Sequence, residues 1–385
     1  MEHACDILAI GQAEDNSGFC RVFNNLFEYL SLKYNIVHFG INYKGECIKH
    51  KWIVEPNIVG DIMGEVRFEV LINEYNPKLI FMCHDHWLYG FHLETLKRLN
   101  YRHKTIFYCP IEFEVSDSSR IDCFKDIGKL VFYTNYGYNT FINECKRSYT
   151  EDFFLENREN AIVPHGVDTS IFYPLTISRR QIRKKMFPNR PELWDAFIFL
   201  NANRNTSRKR IDLTIEAFAK FNRKQKEKAY LYLHTEITNS GVDLLRKINE
   251  LGIRDQVILS EKGKNHVAAN KHMNLIYNAC DVGLNTCLGE GWGLIAFEHA
   301  AVGKPQILPN HIVFKELWDN NALLITVDYE NCIHLDEFST CMQKLKSDDT
   351  FRKKIGRSCQ EVALNPKYSW KIIAKQWDRL FQKLL

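Results

Sequence analysis

Two glutamates, Glu290 and Glu298, are separated by seven residues across a run that opens Gly289-Glu290-Gly291-Trp292-Gly293-Leu294. Glycines at 289, 291 and 293 let backbone N–H groups come close to an anion, and the helix expected from about Gly293 offers its positive end as a phosphate seat. A carboxylate beside such a nest cannot serve the phosphate, so Glu290 must meet hydroxyl or cationic groups of the same ligand. A second cluster lies upstream. Arg204, Arg208, Lys209 and Arg210 fall within seven residues, just ahead of an apolar helical pattern. That runs against the acidic preference of a helix's first turn. An anionic ligand would account for it; a solvated basic loop is the alternative. Arginine supplies a rigid fork and lysine a point charge, a suitable pair for a pyrophosphate. A sugar nucleotide carries both the phosphates and the hydroxyls that these two clusters ask for.

Elements that could position such residues alternate along the chain. Short apolar runs at 6–10, 36–39, 78–83, 105–109, 130–133 and 161–164 read as strands, with helical patterns between them. The pattern of 22–34 is one such helix, with Val22, Leu26, Tyr29 and Leu30 on one face. Alternation of this kind implies a parallel sheet covered by helices. It restarts after a polar stretch, 172–194, that contains Pro174, Pro188 and Pro191 and reads as a linker. The second series of strands is expected at 197–201, 230–234, 257–260, 282–285, 305–308 and 323–327. Two doubly wound domains follow, 1–172 and 190–368. A final helix at 370–385 carries Ile373, Trp377, Leu380 and Leu384 on one face.

Composition agrees with that plan. At 385 residues, 45% hydrophobic and 25% charged, two domains can each bury a core. No apolar run approaches the ~20 residues that span a bilayer. The start of the chain enters a strand directly, without a basic leader and apolar core, which argues against secretion. Twelve cysteines, none in a C-x-x-C pair, fit buried thiols of a reducing, cytoplasmic setting better than disulfides or zinc. Residues 1–170 hold 17 Lys+Arg against 24 Asp+Glu, and 171–385 hold 34 against 23, so a net of −7 faces one of +11. The basic half suits a small polyanion, and the acidic half opposes nucleic acid as a partner.

From Glu290 to Ile307 the chain reads E-G-W-G-L-I-A-F-E-H-A-A-V-G-K-P-Q-I. This resembles the hallmark of the family 4 retaining glycosyltransferases, Glu-x7-Glu in an E-G-F-G-L…E-A-x-A-x-G-x-P-V setting. The resemblance implies the GT-B fold, two Rossmann-like domains facing each other across a cleft, with the last helix crossing back to the first domain. It also implies roles. Arg204 and Lys209 match the family's five-residue spacing for the Arg and Lys that clamp the donor diphosphate. Glu290 would orient hydroxyls of the transferred sugar and Glu298 those of the ribose. Backbone groups of Gly291, Trp292, Gly293 and Leu294 would meet the phosphates.

Three further stretches are similar to family motifs. The loop 11–21 resembles the glycine loop facing the donor, which puts Ser17 and Gly18 near the phosphate or the sugar. Pro164-His165-Gly166-Val167-Asp168 matches P-N/H-G-V-D, with His165 as a cleft residue and Gly166 in a tight turn. His84-Asp85-His86-Trp87 resembles a cleft-wall H-D-x motif; a metal would need a third ligand, and none stands at suitable spacing. Many members place a histidine after the strand equivalent to 105–109, whereas this chain has Tyr108-Cys109-Pro110-Ile111-Glu112. Glu112 is therefore the polar candidate there, for positioning an acceptor or as a solvated loop carboxylate. The expected activity is retaining transfer of a hexose from a nucleoside-diphosphate sugar to a glycan or glycoconjugate hydroxyl. It needs neither metal nor cofactor, and similarity leans towards GDP-mannose. A GT-B sugar-nucleotide epimerase and a non-catalytic nucleotide-sugar-binding protein are the alternatives.

Overall fold

The structure is a computed structural model. It describes residues 5–13, 17–45, 50–85, 90–113, 124, 127–148, 162–223, 229–237, 241–260 and 270–385. The chain forms two units, Met1–Gly166 with Lys367–Leu385, and Val167–Pro366.

The first unit holds strands β1 (Ile7–Gly11), β2 (Ile36–Gly40), β3 (Ile53–Pro56), β4 (Leu79–Cys83), β5 (Thr105–Cys109) and β6 (Lys129–Phe132). Between them run helices α1 (Gly18–Leu30), α2 (Glu65–Tyr75) and α3 (Gly90–Arg98), and α4 (Asn135–Ser148) follows β6. The sheet order is β3-β2-β1-β4-β5-β6 with every pair parallel. Strands β1, β4 and β5 are buried along their whole length. That is why they read as unbroken apolar runs rather than alternating ones. Strand β3 has no counterpart in the sequence reading. It is an edge strand of four half-exposed residues ending in Pro56, where burial leaves almost no pattern. The strand expected at 161–164 reduces to a single bridge between Phe132 and Ile162, and Ala161 lies outside the described residues.

The second unit begins with α5 (Arg179–Met186) and continues β7 (Phe197–Asn201), α6 (Ile211–Asn222), β8 (Ala229–Leu233), α7 (Leu244–Glu250), β9 (Val257–Leu259) and α8 (Asn270–Ala279). It is completed by β10 (Val282–Leu284), α9 (Leu294–Ala301), β11 (Gln306–Pro309), α10 (Ile312–Trp318), β12 (Leu323–Ile325), α11 (Leu335–Ser347) and α12 (Asp349–Ala363). Its order, β12-β11-β10-β7-β8-β9, is again parallel throughout and repeats the topology of the first sheet. The stretch 172–194 is part of this unit rather than a linker. Helix α5 starts in a capping box of Ser178 and Gln181 and buries Ile182 and Arg183. The fully buried Arg183 guanidinium donates from Nη2 to Asp281 Oδ2 at 2.9 Å, from Nε to the Ala279 carbonyl at 2.8 Å, and to the Ala196 carbonyl. Asp281 also accepts the Ile198 N–H at 2.8 Å and pairs with Arg179. A run as basic as RRQIRKK looks solvated until its one inward arginine is known.

Helix α13 (Trp370–Leu384) belongs to the first unit and packs on α1. Ile373, Ala374, Trp377, Leu380 and Phe381 are buried, while Leu384 is only half-buried. Asp378 accepts Tyr34 Oη at 2.5 Å and Lys33 Nζ at 2.7 Å. Where the chain leaves the first unit, a Cβ on Gly166 would lie 2.8 Å from the Tyr368 carbonyl oxygen and 2.8 Å from the Trp370 ring. Glycine is required there for close approach. Among the described residues no helix is long and apolar enough to cross a membrane.

Candidate active site at the switch point of the second sheet

Strands β7 and β10 are neighbours, yet the chain leaves them towards opposite edges of the sheet. Their carboxyl ends flank a topological switch point, where open parallel sheets bind ligands. The loops concerned are 202–210 and 285–293, the two that hold the basic cluster and Glu290.

A chain of hydrogen bonds ties the loops together. Asn201 Nδ2 donates to Thr214 Oγ1 at 2.8 Å, Thr214 and Thr286 hydroxyls meet at 2.7 Å, and Thr286 Oγ1 donates to the Arg210 carbonyl at 2.8 Å. The Leu288 N–H adds a bond to the Arg208 carbonyl at 3.0 Å. All three side chains are buried, so each bond is made away from competing water. Asn201, Thr214 and Thr286 were not singled out in the sequence because small polar residues at a strand end, in a first helical turn or in a loop look like ordinary capping and loop material.

The basic cluster divides three ways. Arg208 Nη1 donates to the Gly289 carbonyl at 2.6 Å and to Glu290 Oε2 at 2.7 Å. Lys209 Nζ reaches Glu290 Oε1 at 2.7 Å and Oε2 at 2.5 Å. Arg210 turns to Asp212 in the first turn of α6, at 2.8 Å. Arg204 stands exposed. The structure places Arg208 beside Lys209 on Glu290 and does not bring Arg204 to that carboxylate, and three of the four cations are answered by carboxylates of the chain itself. The signal for Arg208 was its adjacency to Lys209; five-residue spacing drew attention to Arg204 instead.

Glu290 retains 12% side-chain exposure. Burial pushes its carboxyl up, but Lys209 and then Arg208 outweigh that and hold it down at about 2. It is ionised throughout the working pH range. His311, the residue before α10, stacks on Phe314 at 4.7 Å and places Nε2 3.5 Å from Cys287 Sγ. Burial lowers its pKa to about 4, so it adds no charge beside the cluster at neutral pH.

Helix α9 begins at Gly293 with φ +93° and no side-chain cap, so its positive end has no carboxylate or hydroxyl of its own. A Cβ at 293 would sit 2.7 Å from Phe314 Cε1. Gly293→Ala is expected to lose about 1–3 kcal/mol of stability from the left-handed backbone and the clash together. Chemical denaturation measures it; a change below about 0.5 kcal/mol would show the turn to be freely adjustable. Gly291 is buried and Leu294 half-buried. Trp292 points into the core, stacked on Phe297 at 4.9 Å. Glu298 lies in the same helix, 3% exposed, with Oε2 accepting the Tyr277 hydroxyl at 2.7 Å.

In the first unit the corresponding switch point lies between β1 and β4. Ser17 is the N-cap of α1, accepting the Cys20 N–H at 3.1 Å, and Gly18 is exposed. His84 is buried, its ring stacked on Phe19 at 4.3 Å and its Nδ1 accepting the Asp85 N–H at 2.8 Å. The structure therefore brings His84 beside the start of α1. His86 and Trp87 lie outside the described residues. Glu112 is half-buried in the loop after β5. His165, expected from its motif to face a cleft, is buried in the first unit. Its Nδ1 lies 2.9 Å from Tyr108 Oη, which itself donates to the Val163 carbonyl at 2.7 Å, and its ring packs on Tyr133. Burial lowers it to about 3, so it is a neutral core histidine. Among the described residues no group of three His, Cys, Asp or Glu side chains is placed to hold a metal ion.

Residues 183–361 match the family model for glycosyl transferases group 1. Mannosylfructose-phosphate synthase of Agrobacterium fabrum (strain C58) is 24% identical over 170 residues, covering 42% of this chain and 35% of the relative. The alignment thus spans about a third of that protein's length. Solved structures similar along the chain include sucrose-phosphate synthase from Thermosynechococcus elongatus (TM-score 0.73, 16% identity, 98% of each chain). A glycosyltransferase from Rickettsia africae ESF-5 gives TM-score 0.74 and 16% identity over 99% of this chain and 98% of its own. Anabaena HepE in complex with UDP-glucose gives 0.74 and 14% over 98% and 100%. The stretch that matches glycosyl transferases group 1 thus lies within the second unit, in an α/β chain with two Rossmann-like domains of the GT-B kind.

Proposed function

We propose that the protein is a retaining glycosyltransferase that moves a hexose from a nucleoside-diphosphate sugar to a hydroxyl of a glycan or glycoconjugate. The observation that carries this reading is the Arg208–Lys209–Glu290 cluster at a sheet switch point, within the stretch that matches the family. Lys209 and Arg208, with the start of α9, would stabilise charge growing on the departing diphosphate. Glu290 would orient hydroxyls of the transferred sugar, and Glu298 the ribose, sharing its carboxylate with Tyr277. The bond from the anomeric carbon to phosphate breaks while that to the acceptor oxygen forms on the same face. The acceptor proton passes to the leaving phosphate, so no protein nucleophile is required. Gly18 and His84 are the first-unit groups proposed for the sugar and acceptor side.

GDP-mannose stands first among donors, in keeping with the motif's wording and the mannosyl product named for the Agrobacterium relative. UDP-glucose, held by HepE, is the comparison. Free thiols at the described cysteines, most of them buried, fit a reducing cell interior. The test is a calorimetric panel of GDP, UDP and their sugars, followed by transfer assays with the product's anomeric configuration read by NMR. Failure of every nucleoside diphosphate to bind would overturn the reading, and an epimer formed without acceptor would favour the epimerase. Turnover is expected to survive EDTA and to gain less than about two-fold from Mg²⁺ or Mn²⁺, because cationic side chains take the metal's electrostatic role. Loss to chelator, restored by one metal, would refute that part.

A further inference from the structure

The two cations assigned to the diphosphate already have an anion. Both Glu290 oxygens are engaged by Lys209, and one of them also by Arg208, in a pocket that leaves the carboxylate little water. Arg210 is committed to Asp212, and His311 is neutral. The cluster therefore carries two positive charges and one negative one. A diphosphate cannot approach Lys209 and Arg208 closely while the carboxylate stays between them, because like charges in a poorly hydrated site repel.

We propose that Glu290 is the resting occupant of the diphosphate clamp, holding Arg208 and Lys209 until the donor's diphosphate displaces it. This rests on the function proposed above and deepens it. The displaced carboxylate is then released towards the hydroxyls of the sugar, so that sugar orientation waits on diphosphate binding. Arg208 has a second hold on the same loop through the Gly289 carbonyl, which keeps the loop seated when Glu290 lets go. A free hexose brings no diphosphate, leaves Glu290 in place, and is not recruited. The arrangement gives a negative coupling between two ligands of one pair of cations, the carboxylate being the internal one.

The test measures affinity for free GDP and UDP, and for inorganic pyrophosphate, by calorimetry on the whole protein. E290Q keeps the side chain's size and removes its charge. It is expected to bind the better nucleoside diphosphate about five-fold more tightly or more, the low end of ordinary coupling between ligands. Guanosine and uridine should bind unchanged, and turnover should fall. E290D, whose shorter side chain cannot hold both cations in the same way, should also bind more tightly and serves where E290Q does not fold. Diphosphate affinity that is unchanged or weakened in the folded variant overturns the inference while leaving the glycosyltransferase reading intact. A wild-type protein that binds no nucleoside diphosphate overturns both.

Discussion

Lys209→Met is expected to lower kcat/KM by about 10²–10³-fold, the usual cost of removing one preorganised group from charge that develops in a transition state. Methionine keeps the length and apolar stem of lysine, so the loss reports charge rather than packing. Lys209 is the more buried of the two cations on Glu290, which makes its ammonium the less screened partner for a diphosphate. The deficit should appear in both kcat and donor affinity, because the phosphates are bound before and during transfer. Arg204→Met, at an exposed position, should fall several-fold short of that effect. Equal losses for the two variants would mean that Arg204 swings in when donor binds, and that the pairing of Arg208 with Lys209 describes only the nucleotide-free protein.

Asp281→Ala is expected to cost about 3–5 kcal/mol of unfolding free energy, because it strands a buried charge. Arg183 is fully buried and Asp281 nearly so, and the carboxylate also accepts the Ile198 N–H near the start of β7. Urea denaturation of the variant measures it, with circular dichroism and tryptophan fluorescence as separate probes. The double variant Arg183→Met with Asp281→Leu should recover most of the loss, since an apolar pair of similar volume removes the unpaired charge altogether. A single-variant loss below about 1 kcal/mol would mean that water reaches Arg183.

The sequence by itself determined the alternating strands, their parallel class, and the Gly289–Leu294 turn that presents Glu290. Each of these is written within a window of a few residues: a fully buried strand is an apolar run, and a positive-φ turn asks for glycine. Strand β3 escaped because an edge strand of half-exposed residues has no such run. Whether 172–194 was linker or domain also escaped, because a single inward arginine in a basic helix is invisible to periodicity.

Only the tertiary structure decided which cation meets which carboxylate. Arg208 and Glu290 are 82 residues apart and meet because β7 and β10 are neighbours whose connections diverge. Within that loop it is Arg208, not the exposed Arg204, that lies on the carboxylate. His165 shows the same limit from the other side, since a polar motif residue became core once Tyr108 and Tyr133 closed around it. Local patterns fix what the chain can form, because their energetics are settled among neighbours in sequence. Charge pairing depends on distance and burial in space, and those exist only after the sheet has assembled.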